Sequence, residues 1–432
     1  MGSNKNGAAL RFTRKVVSPV MRELLLGAAA TFAFAPAALA NQQWTGAVDS
    51  DWFKPGNWTN GAPSAGDYTT IGLAPSEVVI SGGAAATGSL TVRAMPGLTV
   101  AGGGALLTDV LNLSEGALRI GVGGGVTSIL SVIGTSSTGT VAVTVDGGAW
   151  DSGALAVGRM GVGRLAIVNG GTVDAATMST DSGWLVSNTL KLVGSSNTDV
   201  EGAGSRLRVA GHMELGDYGE SQLTISNGGL VEAMSAELGA RALLVNGQVP
   251  LRGSATATVD AGVWRIANGL TLGGRGGGEL RVVNGGDVSS GSLTLAGALS
   301  AGMEPSEGVV LLSGAGSRLT TGMLTAGAAG IGTIRVEDGA LLQSASANLG
   351  NAATGRGEVV VDGATWNAGG ILRVGVGGAG DLTIANGGVV TSGVSMLGVN
   401  AGARGSARVE NAGSQWTADV LLVGGAGGGE GY

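Results

Sequence analysis

The stretch that decides the fold is RLAIVNGGTVDA, residues 164–175. Close variants return as QLTISNGGLVEA (222–233), ELRVVNGGDVSS (279–290), TIRVEDGALLQS (333–344) and DLTIANGGVVTS (381–392). In most copies a short alternating apolar run leads into Asn-Gly or Asp-Gly, and a second run follows. Alternation with period two indicates strands, and Asn and Gly tolerate the left-handed backbone of a tight turn. The chain therefore repeats a strand–turn–strand unit.

A second phrase interleaves with the first, as VTVDGGAWDSGALAVG (143–158), ATVDAGVWRIANGLTLG (257–273), VVVDGATWNAGGILRVG (359–375) and ARVENAGSQWTADVLLVG (407–424). Alignment of the turn residues of both phrases gives a basic period of about 24 residues, with longer loops inserted in three steps. The aligned turn residues are Asp146, Asn169, Glu201, Asn227, Asp260, Asn284, Ser313, Asp338, Asp362, Asn386 and Asn411.

A unit of this length without a helix cannot bury its own apolar face, but it can do so by stacking on its neighbours. We therefore predict an all-β fold, a parallel β-helix solenoid with coils of about 24 residues. Aliphatic side chains would form inward ladders, and the polar turn residues would stack at one corner, where side-chain amides bond along the stack. The alternative is a β-propeller, whose blades are longer, near 40 residues or more, and carry motifs absent here.

The composition agrees with many short strands and excludes several functions. Of 432 residues, 85 are glycine, while charged residues make up 13% and aromatic residues 3%. There is no cysteine, which excludes disulfides, zinc–thiolate sites and cysteine nucleophiles. The net charge is −7, and beyond residue 40 the chain has 19 basic and 30 acidic residues. An acidic body without a basic run argues against nucleic acid as a partner.

The chain divides into three parts. Residues 1–40 read as a secretory signal peptide, with a basic start, an apolar segment at 24–40 and a small-x-small end that places the cut after Ala40. A transmembrane anchor is the rival, but the apolar run is short and is broken by a proline. Residues 41–75 are rich in tryptophan, and we interpret them as a cap over the first coil rather than a sugar-binding platform. Residues 76–432 hold the repeats.

These motifs, QWTG…DW…NWTNGAPSAGDYTTI at the start and the NGG and DG-x-x-W repeats that follow, resemble the passenger region of Gram-negative autotransporters (type V secretion), including the self-associating adhesins. The resemblance implies a right-handed β-helix, export to the periplasm, display outside the cell, and a C-terminal outer-membrane barrel in the parent chain. The sequence departs from that pattern at its end, GGGEGY, which falls within a repeat and carries no barrel strands.

Few residues suggest chemistry. The single histidine, His212, is predicted to point outward from a coil and not to catalyse. The glycine pattern at 375–380 matches a phosphate-binding fingerprint, but no helix follows it, so we interpret it as a coil corner. Asp338 and Asp362 occupy successive turns and could do acid–base work or bind calcium, although the same column favours turn capping. We predict no catalytic, cofactor-binding or metal-binding residues.

The sequence thus favours a secreted or cell-surface passenger of adhesin type without catalysis. It would meet a host surface, a polysaccharide or a copy of itself through many modest contacts. The alternatives are a polysaccharide-active β-helix enzyme that uses Asp338 and Asp362, and a structural stalk that binds nothing.

Overall fold

The computed structural model describes residues 40–73, 76–93, 97–180, 195–245, 249–297, 304–425 and 428–432. Residues 40–432 form one compact unit. The predicted signal peptide lies outside the described residues, except for Ala40. Strands account for 63% of the described residues, and successive coils pair in parallel to form a solenoid of about 15 turns. The predicted parallel solenoid with coils of about 24 residues is therefore confirmed, and the β-propeller is excluded.

The strands fall into two parallel sheets that run the length of the solenoid. One sheet contains mostly nine-residue strands, here called long strands. Its members are β1 (Asn41–Gln43), β2 (Tyr68–Ile71), β4 (Ala84–Val92), β6 (Ala105–Leu113), β8 (Gly125–Ile133), β10 (Ala149–Val157), β12 (Thr172–Thr180), β14 (Arg206–Leu215), β16 (Leu230–Leu238), β20 (Val263–Leu272), β22 (Asp287–Leu295), β24 (Arg318–Ala326), β26 (Leu341–Leu349), β28 (Thr365–Asn367), β29 (Ile371–Val374), β31 (Val389–Leu397) and β33 (Gln415–Val423).

The other sheet contains shorter strands, mostly of seven residues, which alternate with the long strands along the chain. They are β3 (Val78–Ile80), β5 (Leu98–Val100), β7 (Gly116–Ile120), β9 (Thr140–Asp146), β11 (Val162–Val168), β13 (Ser195–Glu201), β15 (Glu220–Ser226), β19 (Ser254–Asp260), β21 (Gly277–Val283), β23 (Glu307–Ser313), β25 (Ile331–Glu337), β27 (Arg356–Asp362), β30 (Ala379–Ala385), β32 (Arg404–Val409) and β34 (Glu430–Gly431). A separate hairpin joins β17 (Ala242–Val245) to β18 (Val249–Arg252). The one helix in the described ranges is a single 3-10 turn, Pro55–Asn57, and none there could span a bilayer.

Each long strand bends in its middle. In β12 the inward residues are the second, fourth, seventh and ninth, so the alternation changes phase at the fifth residue, Ala176. The ladder between β10 and β12 also skips that residue, because Ser152 pairs with Ala175 and Ala154 with Thr177. One coil is opened completely at this bend, where β28 and β29 are separate strands. Each coil therefore presents three flat segments around a common core.

The core consists of ladders of Val, Leu and Ile, joined by one column of tryptophans. Trp150, Trp264 and Trp366 are at most 1% exposed, and Trp416 is half-buried in the last long strand. All four occupy the second position of their long strands, as the register of the ladder shows. The interpretation of these four residues as periodic structural positions is confirmed.

The corner between each short strand and the next long strand carries the predicted polar stack, and we call it the asparagine corner. Asn169 Nδ2 donates to Asp146 Oδ1 at 2.8 Å, and Asn284 Nδ2 donates to Asp260 Oδ1 at 2.9 Å. Asn284 has φ of 53°, a left-handed conformation that asparagine tolerates better than most residues. These turns contain two to five residues between the strands. The stack is thus confirmed.

The backbone register at this corner differs by one residue from the alignment of turn residues. Asp146 ends a strand and pairs with Val168, whereas Asn169 is the first residue of its turn. Asp260 and Asn284 repeat this offset, since Asp260 pairs with Val283. From β9 to β30, coils therefore alternate between one whose short strand ends in Asp, Glu or Ser and one whose turn begins with Asn or Asp. The structural repeat is two coils.

The tryptophan-rich segment before the coils continues the long-strand sheet, since β1 pairs with β2 and β2 pairs with β4. Trp44, Trp52 and Trp58 are at most 5% exposed. Trp58 meets both of the others edge to face, with ring centroids 4.9 and 4.7 Å apart, and its indole nitrogen donates to the Trp52 carbonyl at 2.7 Å. Buried rings of this kind are not available to stack on a sugar.

Candidate functional site: the insertion corner

The second corner is the one between each long strand and the next short strand. It carries the three long insertions found between the described strands. They are residues 181–194, 239–253 and 296–306, with 14, 15 and 11 residues between the flanking strands. The equivalent crossings in neighbouring coils, 216–219, 273–276 and 327–330, contain four residues each. We call this edge the insertion corner.

The insertions follow β12, β16 and β22, which are alternate long strands of the solenoid. The strands that precede them therefore end in one row, two coils apart, at about 10 Å from one another. Insertions that map to one side of a repeat protein commonly form its binding face, because loops vary without disturbing the scaffold. The insertion corner is on this ground the candidate functional site.

The middle insertion is a β-hairpin that belongs to neither large sheet. Among the described residues, β17 and β18 pair only with each other, in antiparallel register, with Leu243 opposite Leu251 and Val245 opposite Val249. At the foot of the hairpin the Gly253 amide donates to the Arg241 carbonyl at 2.9 Å. The insertion corner thus presents a strand pair outside the stacked coils.

Two arginines hold the foot of this hairpin. Arg241 Nε donates to Glu214 Oε1 at 3.3 Å and lies 2.7 Å from Asp217 Oδ1. Nε has a single N–H, which points to Glu214. The shorter contact, with Asp217, is therefore an ion pair without an aligned hydrogen bond. On the other side, the Arg252 guanidinium donates to the carbonyl of Pro305, at 3.2 Å, and to that of the preceding residue in the third insertion. Arg241 also lies over the Tyr218 ring, 5.9 Å from its centre.

Burial and like charge perturb the acids beneath the hairpin. The Asp217 side chain is 5% exposed. Burial, with the Glu214 carboxylate adding to it, raises the pKa of Asp217 to about 6, although Arg241 opposes the shift. Burial also raises the pKa of Glu237 on the next coil, and His212 partly offsets this. The foot of the hairpin therefore brings together two carboxylates whose pKa values are raised, which favours the neutral form of each.

His212 lies on the outer side of β14, beside this cluster, as its predicted outward position requires. Its Nδ1 is 2.9 Å from Ser235 Oγ, its Nε2 is 4.0 Å from Glu237 Oε2, and its side chain is 46% exposed. An open groove of about 400 Å³ runs from His212 across three preceding coils, over a floor of small residues that includes Ala154, Ala156 and Thr177. His212 therefore lies between a serine hydroxyl and a carboxylate on the outer side of the coils.

The two aspartates considered for chemistry point to different partners. Asp338 Oδ2 accepts from Ser313 Oγ at 2.8 Å, and Asp362 Oδ1 accepts from Asn386 Nδ2 at 2.7 Å. Both are members of the asparagine corner, and each serves as a link in its stack. In the part of the chain that the structure describes, no three His, Asp or Glu side chains are grouped so that they could hold a metal ion.

The glycine pattern at 375–380 lies in the four-residue crossing from β29 to β30 and the start of that strand, so a strand and not a helix follows it. Sequence reasoning identified the three long steps of the repeat but not their common corner or the hairpin. The signal was present, because the long steps begin at Asn169, Asn227 and Asn284, which are alternate turns.

No family model matches the sequence, and neither a curated protein nor a solved structure is significantly similar to it.

Proposed function

We propose that this protein is an exported adhesin-type solenoid, displayed at the surface of a Gram-negative cell, which binds through its insertion corner. The observation that carries the proposal is the row of three insertions at one corner of alternate coils. The other long edge, the asparagine corner, is closed by hydrogen bonds from coil to coil. A scaffold whose long insertions all follow one edge is suited to presenting that edge.

The dimensions support binding by several weak contacts. From β4 to β33 the long strands stack as 14 coils, which at about 4.8 Å per coil gives a solenoid about 65 Å long. Insertions about 10 Å apart on such a rigid scaffold can meet a repetitive partner together. The second contact then becomes intramolecular and raises the overall affinity without any single strong site. A host surface, a polysaccharide or another copy of the chain would offer such repetition.

Export rests on the first 40 residues and on the resemblance to autotransporter passengers. The apolar segment followed by Ala38-Leu39-Ala40 is typical of a cleaved secretory signal. A chain without cysteine also cannot be trapped by wrong disulfides in the periplasm. In the proposed topology the chain crosses the outer membrane with the help of a barrel and remains at the cell surface or outside the cell.

The test is display of the chain on a non-adherent Gram-negative host through a heterologous outer-membrane anchor, with adhesion and clumping as readouts. In the loop variant, residues 239–253 are replaced by the four residues 273–276, which form the equivalent crossing in the next coil. The matched control shortens the six-residue crossing 350–355 to the four residues of 327–330, an operation of the same kind without an insertion. We expect adhesion or clumping by the parent and the control, and a clear loss in the loop variant. Equal behaviour of all three at equal display would refute the proposal.

A further inference from the structure

We propose that the asparagine corner protects its Asn-Gly pairs from deamidation, and that Ser317 and its counterparts in other coils do so by holding the glycine N–H that would react. Deamidation is spontaneous and alters the chain permanently, so a fold that repeats this pair gains from resisting it. The corner contains four such pairs, which are Asn169-Gly170, Asn227-Gly228, Asn284-Gly285 and Asn386-Gly387.

The reaction needs two groups to meet. The backbone nitrogen of the glycine bonds to the asparagine Cγ, and ammonia leaves from Cγ with the proton that the nitrogen gives up. Water then opens the five-membered succinimide and yields aspartate or isoaspartate, so one water is consumed for each ammonia released. Glycine favours the first step because it has no side chain to obstruct the approach. The pair is therefore vulnerable where the glycine N–H is free and the asparagine side chain can turn toward it.

In all four pairs the glycine N–H already has an acceptor on the following coil. The acceptor is a serine hydroxyl in three of them, with bonds from Gly170 to Ser205 at 3.1 Å, from Gly285 to Ser317 at 3.0 Å and from Gly387 to Ser414 at 3.1 Å. In the fourth pair the Gly228 N–H donates to the Ala261 carbonyl at 2.8 Å. This bond must break before the nitrogen can lose its proton and attack, so it opposes the first step of deamidation.

The three serines occupy one position of one turn type. They end the turns 202–205, 314–317 and 411–414, and in each turn the last three residues are Ala-Gly-Ser. Ser205 and Ser317 are each 1% exposed. A hydroxyl that bonds to the same atom of the preceding turn in three separate coils indicates a repeated function rather than a local contact.

The asparagine side chain is held from the opposite side. Asn284 Nδ2 donates to Asp260 Oδ1 at 2.9 Å on the preceding coil, and the other three asparagines donate to a carboxylate of their preceding coils in the same way. Ser317 meanwhile directs the Gly285 N–H toward the following coil. The two groups that would have to meet are thus bound to different neighbours.

Deamidation at this corner would break the polar stack. An aspartate at position 284 would lose the N–H that Asp260 accepts and would place a second carboxylate beside it, where like charges repel. Isoaspartate would also add one carbon atom to the main chain within the turn, which would disturb the register of the strands on both sides. Because coils are stabilised by their neighbours, damage in one turn would loosen the adjacent coils.

Peptide mapping by mass spectrometry tests the role of the serine. The purified chain is aged in mildly alkaline buffer, and deamidation is followed at each asparagine. Ser317→Ala removes the acceptor of the Gly285 N–H, so Asn284 should react about fivefold faster, which is the rate equivalent of one net hydrogen bond. Asn169 and Asn386, which lie in other turns, should keep the rates of the parent.

The matched control is Ser313→Ala at the start of the same turn. The Ser313 hydroxyl donates to Asp338 at 2.8 Å and not to Gly285, so its loss should leave the rate at Asn284 unchanged. Equal rates at Asn284 in the parent and in Ser317→Ala, or equal acceleration in both serine variants, would overturn the proposal. If Ser317→Ala does not fold, Ser205→Ala repeats the test at Asn169.

The parent chain provides a readout that needs no substitution. With both reacting groups held, each of the four pairs should react about thirtyfold more slowly in the folded chain than in guanidinium chloride, the equivalent of two hydrogen bonds. Protection should disappear together at all four when the chain unfolds. Pairs that deamidate as fast in the folded chain as in denaturant would show that the corner does not protect them.

Discussion

Replacing Ala233 by serine is expected to stabilise the solenoid by about 1 kcal/mol, because the new hydroxyl would accept a hydrogen bond from Trp264. The Trp264 side chain is fully buried, and its indole N–H has no partner among the described residues. The tryptophan column contains one satisfied example, in which Trp366 Nε1 donates to Ser344 Oγ of the preceding coil at 3.1 Å. Ala233 occupies the position equivalent to Ser344 beneath Trp264.

The equivalence follows from the ladder. Ser344 lies two residues after the residue that pairs with Trp366, and Ala233 lies two residues after Val231, which pairs with Trp264. Both sites are at most 6% exposed. A serine at position 233 would therefore point into the core below the indole, as Ser344 does.

The new hydroxyl would also be free to accept. Serines at the same strand position beneath Trp150 and Trp416, Ser128 and Ser392, instead bond to a second serine three residues later, and both of those indoles lack a partner. Three residues after Ser344 the chain has Ala347, and three residues after Ala233 it has Ala236, so neither site holds a competing hydroxyl. In this column, the indole N–H therefore bonds to the serine of the preceding coil only where no second serine follows three residues later.

The magnitude is set by the cost of a buried donor without a partner. That cost is about 1–3 kcal/mol, and a restored bond returns about 1 kcal/mol after the desolvation of the hydroxyl is subtracted. Ser344→Ala should accordingly lose about 1–3 kcal/mol. Ala175→Ser is the matched control, because Ala175 stands at the same strand position but lies beneath Leu207, which offers no donor. That control should gain nothing.

The assay is urea unfolding of the parent and the three variants, with hydrogen exchange of the indole N–H followed by NMR. Exchange is needed because stacked repeats do not always unfold in one step, so a midpoint alone can hide a local change. Ala233→Ser should raise the midpoint and slow exchange at Trp264 alone. An unchanged Trp264 exchange rate, or a midpoint no higher than that of Ala175→Ser, would refute the reasoning.

Three further outcomes are expected from the other polar features. At the asparagine corner, Asn284→Ala should lose about 1–2 kcal/mol in urea unfolding, because it removes the bond to Asp260 and forces a left-handed backbone, while Asn284→Gly should lose less. Asp217, with a pKa of about 6 against an ordinary 3.8, binds its proton more tightly when folded, so its own contribution to the free energy of unfolding should be greatest below about pH 4 and fall by about 1–2 kcal/mol as the pH rises through 6. Asp217→Asn should flatten that part of a stability–pH profile. Trp58→Phe should cost about 1–3 kcal/mol by calorimetry, since it leaves the buried Trp52 carbonyl without its indole donor.

The sequence predicted the features that repeat in every coil. Period, parallel stacking and the polar stack all follow from short alternating runs that end in Asn-Gly or Asp-Gly. The register at the asparagine corner could not be read in the same way, because Asp146 and Asn169 look equivalent in the sequence while one ends a strand and the other begins a turn. The side chain of Asn169 still reaches that of Asp146 across this offset of one residue. The alignment of turn residues and the backbone register therefore predict the same stack.

The bend of the long strand and the hairpin were not predictable from alternation alone. Ser152 shows why for the bend, since its buried hydroxyl donates to the carbonyl of Ala154 around the unpaired residue between them. In a sequence, such a serine appears as an outward polar residue. The hairpin could not be predicted from the sequence for a different reason. Its Ala-Leu-Leu-Val run reads like one more coil strand, and only its antiparallel register with 249–252 separates it from the solenoid.

The alternation of the insertions has a physical cause that connects the fold to the proposed function. Coils are about 4.8 Å apart, whereas a hairpin occupies about 10 Å, or two coils. Hairpins in consecutive coils would therefore collide, while an insertion that begins in every second coil leaves room for a hairpin. The two-coil repeat at the asparagine corner has the same spacing, because each Asn-type turn bonds to the Asp-type coil before it. In a solenoid built from coil pairs, one coil of each pair can thus extend outward while its short-turned partner keeps the ladder in register.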